Sequence, residues 1–383
     1  MRQYSIKLSL CACLASGLLI GDGNSQNSEA ILTVNRLIKA ARIYDKEEMS
    51  AASMALSKIG KPAIPALIRA MDDFDDNVRW QAVVAMGRIG FPGSKAAITV
   101  IVKALGDIDP DVRGASAVAL GIFKQKSRRI LNALKKNLGD EHGMVRADAH
   151  WAMWELVRDP GAVPALISLL NNKDWMVSHA AAHHLGEIGE PAVVPLIKHL
   201  TSKTSKGRHL AAEALGRIGP VAAPGTPALI AALTDENKLV VEASIRSLGQ
   251  VGNAVINPLL AFLKTAEVDA RKGVIRALGE LGSEAVSAVP DLVIHLKTDK
   301  ALQEPCIRSL GLIGPKAAAA VEELKIFLGH ADPDCRGSAA QALGRIGKPA
   351  EGCLPKLREM AKKDDADFVR AAARHAVGLI SGN

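Results

Sequence analysis

Ala214-Leu215-Gly216-Arg217-Ile218-Gly219 and Ala342-Leu343-Gly344-Arg345-Ile346-Gly347 are one six-residue phrase written twice in the same chain. Looser copies stand at Ala55-Leu56-Ser57-Lys58-Ile59-Gly60 and Ala85-Met86-Gly87-Arg88-Ile89-Gly90. The Leu place falls at 56, 86, 120, 153, 185, 215, 248, 278, 310, 343 and 377, with Met86, Met153 and Val377 as substitutes. Spacings are 30 to 34 residues over eleven copies, the signature of a stacked-repeat architecture. A chain of 383 residues would ordinarily suggest two or three domains, and the repeat overrides that prior. Aromatic residues are only 3%, which argues against a β-sandwich or barrel.

Counting from the Leu as zero, each copy reads as two helices. At −11 stands Asp45, Asp75, Asp109, Asp174, Asp299 or Asp332, a residue type that caps a helix N-terminus. At −8 stands Val78, Val112, Val145, Val177, Val240 or Val369. Positions −8, −4, −1, 0 and +3 share one face at 3.6 residues per turn, so the second helix is amphipathic. Gly at +1, in nine of eleven copies, admits a close neighbour, and Gly at +4, in eight, ends the helix. Pro62, Pro191, Pro220, Pro315 and Pro349 then open the first helix of the next pair. Arg at −7 (Arg79, Arg113, Arg146, Arg208, Arg271, Arg336 and Arg370) is too regular for a solvated charge. We expect these guanidiniums to satisfy Asp side chains and helix-end carbonyls of neighbouring repeats along the spine. Much of the formal charge of +8 is then structural and not meant for nucleic acid.

The Asp-x-x-Val-Arg and Ala-Leu-Gly-x-Ile-Gly pieces resemble the HEAT-like repeats of the phycobilisome-lyase type, within the HEAT/armadillo superfamily. The resemblance covers about residues 29–383 and implies an all-α, right-handed alpha–alpha superhelix of about eleven helix pairs. It is a poor guide to function, because the repeat serves binding scaffolds and a few enzymes alike. Repeat four departs from it: Trp154 replaces the +1 Gly and Val157 the +4 Gly, so a local change of superhelix is expected there.

The chain opens differently. Arg2 and Lys7 precede an uncharged run, Leu8 to Ile20, and then a small polar stretch. Residues 1–26 read as a cleaved signal peptide and 27–383 as a single solenoid. The run is shorter than the ~20 apolar residues a membrane span needs. Leu10-Cys11-Ala12-Cys13 also resembles a lipoprotein box, so membrane attachment is expected only if Cys13 is lipidated. The address is therefore exported: periplasmic or secreted, or lipid-anchored. Cys306, Cys335 and Cys353 remain; Cys306 and Cys335 fall in core columns, and no disulfide framework is implied.

In HEAT-type stacks the second helices usually line the concave side, so positions −6, −2 and +2 are the candidate groove. Trp80, Val84, Val118, Ile122 and Trp151 form its apolar start, a grip for a protein or peptide if exposed and gap filling if not. Trp154 and Trp175 lean towards the core. His179 and His183 follow, one turn apart, and His209 takes the same column one repeat later. Glu187 continues the first face and Glu213 stands beside His209, so these histidines are candidates for Zn²⁺ or another transition metal, with ordinary polar groove histidine as the plainer reading. Arg246, Arg276 and Arg308 form a column interleaved by Glu242, Glu280 and Glu304, which weakens phosphate tracking.

No catalytic motif emerges. The resemblance raises deoxyhypusine hydroxylase, a HEAT-like di-iron enzyme with His-Glu ligand pairs, yet none of the ten His here precedes Glu. Bilin lyases act inside the cell, against the export leader, and HEAT-like alkylpurine DNA glycosylases need a basic groove. The sequence thus points to a non-catalytic extracytoplasmic scaffold with a protein or peptide partner, no cofactor and no nucleic acid. The alternatives it leaves are a lyase-like or metal-assisted enzyme around His179, His183 and His209, including oxidoreductase-type labels carried by the repeat, and a DNA-binding solenoid.

Overall fold

A computed structural model describes residues 23–204 and 206–382. All regular secondary structure among them is helical. The leader lies outside the described residues except at its end, where Gly23–Gln26 begin the helix Gly23–Arg42. Cys13 is among the residues not described.

The second helices are Lys46–Ile59, Asp76–Ile89, Pro110–Phe123, Gly143–Val157, Trp175–Ile188, Arg208–Ile218, Lys238–Val251, Val268–Glu280, Gln303–Ile313, Pro333–Ile346 and Asp367–Ser381. Each carries one of the eleven Leu places, so they number repeats one to eleven. Several first helices are shorter, as in Ile64–Ala70 and Thr226–Ala231. Prolines were expected to open five of the first helices. Pro62, Pro220, Pro315 and Pro349 sit in 3₁₀ turns ahead of the α-helix, and only Pro191 opens one directly. A pyrrolidine ring tolerates these first positions, where its missing N–H is not needed.

Packing divides the chain between His184 and Leu185 into two compact units. In the first, Leu56, Met86, Leu120 and Met153 with Val78 and Val112, together with Trp80 and Trp151, belong to one core that runs from Ala30 to Leu156. In the second, Leu215, Leu248, Leu278, Leu310 and Leu343 are all inaccessible to solvent.

Local chemistry sets the helix ends. All six −11 aspartates cap: Asp45 accepts from the Glu48 N–H, Asp75 from Asn77, Asp109 from Asp111 and Val112, Asp174 from Met176, Asp299 from Ala301 and Asp332 from Asp334. Gly60, Gly90, Gly189, Gly219, Gly252, Gly282, Gly314 and Gly347 all have positive φ, which lets glycine stop the helix without strain. The +1 glycines allow close approach; a Cβ on Gly311 would lie 2.7 Å from Ala342 Cα. The helix of repeat four ends differently. Arg158, in left-handed backbone, replaces glycine at the end, and its guanidinium lies 5.3 Å over the Trp154 ring.

The −7 arginines build a ladder. Arg79 donates to the Asp73 and Phe74 carbonyls of its own inter-helix turn and, as a fork, to both carboxylate oxygens of Asp107 in the next repeat. Arg113 does the same with the Asp107 and Ile108 carbonyls and Asp140. In the second unit Arg208 grips Asp235 and Arg336 grips Asp364. The carbonyls thus come from the arginine's own repeat and only the carboxylate from its neighbour. Burial alone would raise the Asp107 pKa, but the Arg79 fork and the Asp109 N–H hold it below the usual range. Arg336 holds Asp364 down to about 2. The ladder lapses at Arg146, which keeps its turn carbonyls while Asn172 occupies the place of the acid.

Candidate functional site

The outward columns of the first unit do not form the open aromatic grip that spacing suggested. Trp80 is 4% exposed and Trp151 5%, Val84 is buried, and Val118 and Ile122 are half-buried. The −2 side chain leans along the stack. Trp151 lies across Gly121 of repeat three, where an added Cβ would meet the indole at 2.7 Å. An indole carries a large apolar area, and the space above a missing side chain is the cheapest place to hide it. Trp175 departs in the other direction: it is 50% exposed, and its carbonyl is 2.8 Å from His179 Nδ1.

The other face of Trp151 carries an imidazole. His184 stacks on it with ring centres 5.3 Å apart and planes at 23°. His184 is buried, and its Nε2 lies 3.0 Å from Oδ1 of Asp148, which is also buried. His183, half-buried, meets His184 edge to face at 5.8 Å. Among the described residues, the His, Cys and carboxylate side chains whose donor atoms converge are His183, His184 and Glu187, all on the helix Trp175–Ile188. His179 and His209 stand outside this set. Neither His184 nor Asp148 stands out in a search for motifs. The signal is a break in a column: at −1 every other repeat has Ala or Ser, and at −5 Asp148 is the only charged residue.

In the second unit the same columns carry exposed charge, arranged as pairs. Arg276 forks onto Glu242 of the preceding repeat at 2.7 and 2.6 Å. Arg246 reaches Glu213 at 3.3 Å, and Arg308 reaches Glu304, one turn back on its own helix, at 3.3 Å. The Arg276 hydrogen bonds lower the Glu242 pKa, and Glu242 raises that of Arg276. Each guanidinium of the column is thus matched by a carboxylate, and Glu280 is not among their partners. Cys306, Cys335 and Cys353 are buried thiols, and burial pushes Cys306 up to about 12.

A family model for HEAT repeats matches residues 64–154, 130–216, 193–278, 226–303 and 289–378. The chain belongs to the HEAT-repeat family. Similar solved structures include Kap121p bound to Pho4p, 14% identical over 93% of this chain and 46% of that one, with a TM-score of 0.55. Another is Kap95p in a structure with RanGDP, 16% identical over 94% of this chain and 57% of that one, with a TM-score of 0.58. The chain therefore spans about half the length of these karyopherins, and at such identity the likeness is one of fold. No curated protein matches.

Proposed function

We infer that this protein is a non-catalytic, extracytoplasmic scaffold of phycobilisome-lyase-type HEAT repeats that holds a protein or peptide partner. The observation that carries the reading is the exposed row Arg246, Arg276 and Arg308, with Glu213, Glu242 and Glu304 fixed beside it on successive second helices. A row of alternating charge at repeat spacing suits a polypeptide that itself carries both signs. It suits a phosphate backbone poorly, because each cation already has its counter-charge. In the first unit, taken by itself, Val118, Ile122, His179 and His183 are half-buried, while Trp80, Val84 and Trp151 lie in the core. The solved karyopherin Kap121p is described as bound to Pho4p and to Ste12p, which supports a protein partner for this class of stack. The export reading rests on Arg2, Lys7 and the uncharged run that follows them.

The test is in vivo cross-linking of the full chain, with the captured species identified and compared between wild type and an Arg246→Glu, Arg276→Glu variant of unchanged circular dichroism. Loss of one specific polypeptide from the variant supports the surface. Capture of the same polypeptide at the same yield removes it. Mass spectrometry of the mature N-terminus tests the address, and an intact Met1 in the soluble cell fraction would overturn export.

A further inference from the structure

Two columns of small or uncharged residues pack the second helices against each other, and both break at one junction. The +1 residue of several repeats abuts the −1 residue of the next, as Gly121 does Ala152, Gly279 does Ser309 and Gly344 does Ala376, whereas Gly186 lies against Arg217 and Gly249 against Glu280. Between repeats four and five the +1 residue is Trp154 and the −1 residue is His184. The −5 column, uncharged in the other ten repeats, there carries Asp148. A buried carboxylate–imidazole pair is weak as a stabilising device; an apolar pair of similar volume generally does as well or better. The ten repeats with small or uncharged residues at these places show that the stack does not require it. Rules kept everywhere else and broken once mark a place where something other than folding is served.

We propose that His183, His184 and Glu187 bind one divalent transition-metal ion of the zinc class, with Asp148 and Trp151 orienting His184. The three donors occupy positions i, i+1 and i+4 of one uninterrupted helix, three corners of a single facet of the helical surface. Their donor atoms all lie within 4.8 Å of one another. A tetrahedral centre with bonds of about 2.0–2.2 Å wants its ligands about 3.4 Å apart, so side-chain rotation closes the set. Two imidazoles and a carboxylate suit zinc, nickel or cobalt better than calcium or magnesium. The support behind the ligands has the form metal sites use. One nitrogen of His184 is engaged by a buried carboxylate at 3.0 Å, the outer-shell partner that orients a ligating imidazole. The Trp151 ring, stacked on the imidazole, holds its plane. Three protein ligands leave a fourth position for water or a partner's side chain.

The probe is Zn²⁺ itself, titrated at pH 7.5 into full-length protein stripped with a chelator, with Co²⁺ as a spectroscopic substitute. One equivalent should bind at micromolar or tighter affinity, and bound Co²⁺ should give the visible absorption of a tetrahedral site. Asp148→Asn should weaken binding by about 10–100-fold while leaving the ligand count unchanged. Glu187→Gln should weaken it at least as much and alter the Co²⁺ spectrum. The variant Asp148→Ala with His184→Ala restores residues that other repeats carry at these places, so it should stay folded and lose the site. Absence of a saturable site in the wild type overturns the proposal. So does equal stoichiometry and affinity in the double variant, which would place the ion on other histidines.

Discussion

The two units share one repeat grammar and use it on opposite terms. Both cap second helices with Asp, stop them with positive-φ Gly and tie successive turns with an Arg–Asp fork. They part at positions −6 and −2. In the first unit Trp80, Val84 and Trp151 turn back into the stack and belong to its core. In the second, Glu213, Arg246, Glu242, Arg276 and Arg308 reach outward, with the Arg308 side chain 69% exposed. The backbone directs Cβ alike in both. What differs is whether the rest of the side chain gains more from a neighbouring glycine gap or from water and a counter-charge. A repeat position fixes a direction, and the residue type decides whether that direction is surface.

The largest expected effect tests the buried half of this contrast. Trp151→Ala should cost about 3–5 kcal/mol, the range for removing a buried aromatic side chain. All four Trp lie between residues 80 and 175, inside the first unit, so tryptophan fluorescence follows that unit alone while helix dichroism follows both. Denaturant titration should show the fluorescence transition moving to lower denaturant, with the later part of the dichroism curve in place. A shift worth under about 1 kcal/mol would put Trp151 back on the surface, since that is the scale of exposed substitutions.

A second effect should fall on both units alike, because both contain the ladder. Asp107, Asp140, Asp235 and Asp364 all have pKa values below the ordinary carboxylate range; burial opposes this in all four, and hydrogen bonds led by their Arg partners outweigh it. A carboxyl whose folded pKa is depressed stabilises the fold above its unfolded value of about 3.9. That contribution disappears as pH falls through the folded value, about 2 for Asp364. Thermal midpoints should therefore hold between pH 7 and 5 as far as these groups are concerned, and drop between about pH 4 and 2. The drop should appear in fluorescence and dichroism together. A decline confined to one signal would mean that the ladder supports one unit only.

The repeat itself was legible because its determinants are local. A capping Asp, a Val one turn in, a Leu and a stopping Gly act within one helix, and their spacing predicts all eleven second helices. The ladder was legible in outline, since a periodic Arg needs a periodic acceptor; that its carbonyl partners come from its own turn required coordinates. Exposure was not legible. Trp80 and Trp151 occupy outward positions by helical arithmetic, and only the neighbouring backbone shows the space beside Gly121 that one of them fills. Asp148 and His184 were visible as exceptions in their columns, but their meeting depends on how repeat four lies on repeat five. Trp175 shows the converse: an aromatic residue type suggested the core, while its place at the start of a helix leaves it half in solvent.

The smallest expected effect tests the exposed half. Arg276 and Glu242 form a two-pronged pair whose side chains stay 45% and 43% exposed. Such a pair gains little in stability, because water screens the attraction and two long side chains must be held still. Arg276→Ala should cost about 0.2–1 kcal/mol, and less as salt is raised. Comparing Arg276→Ala with Glu242→Ala and with the double variant isolates the coupling between them. A coupling above about 2 kcal/mol would mean that the pair clamps repeats seven and eight, and the contrast between the units would then be one of residue type and not of role. A small coupling beside a lost partner separates the two functions of charge here: the turn ladder holds the stack, and the outward row is left for recognition.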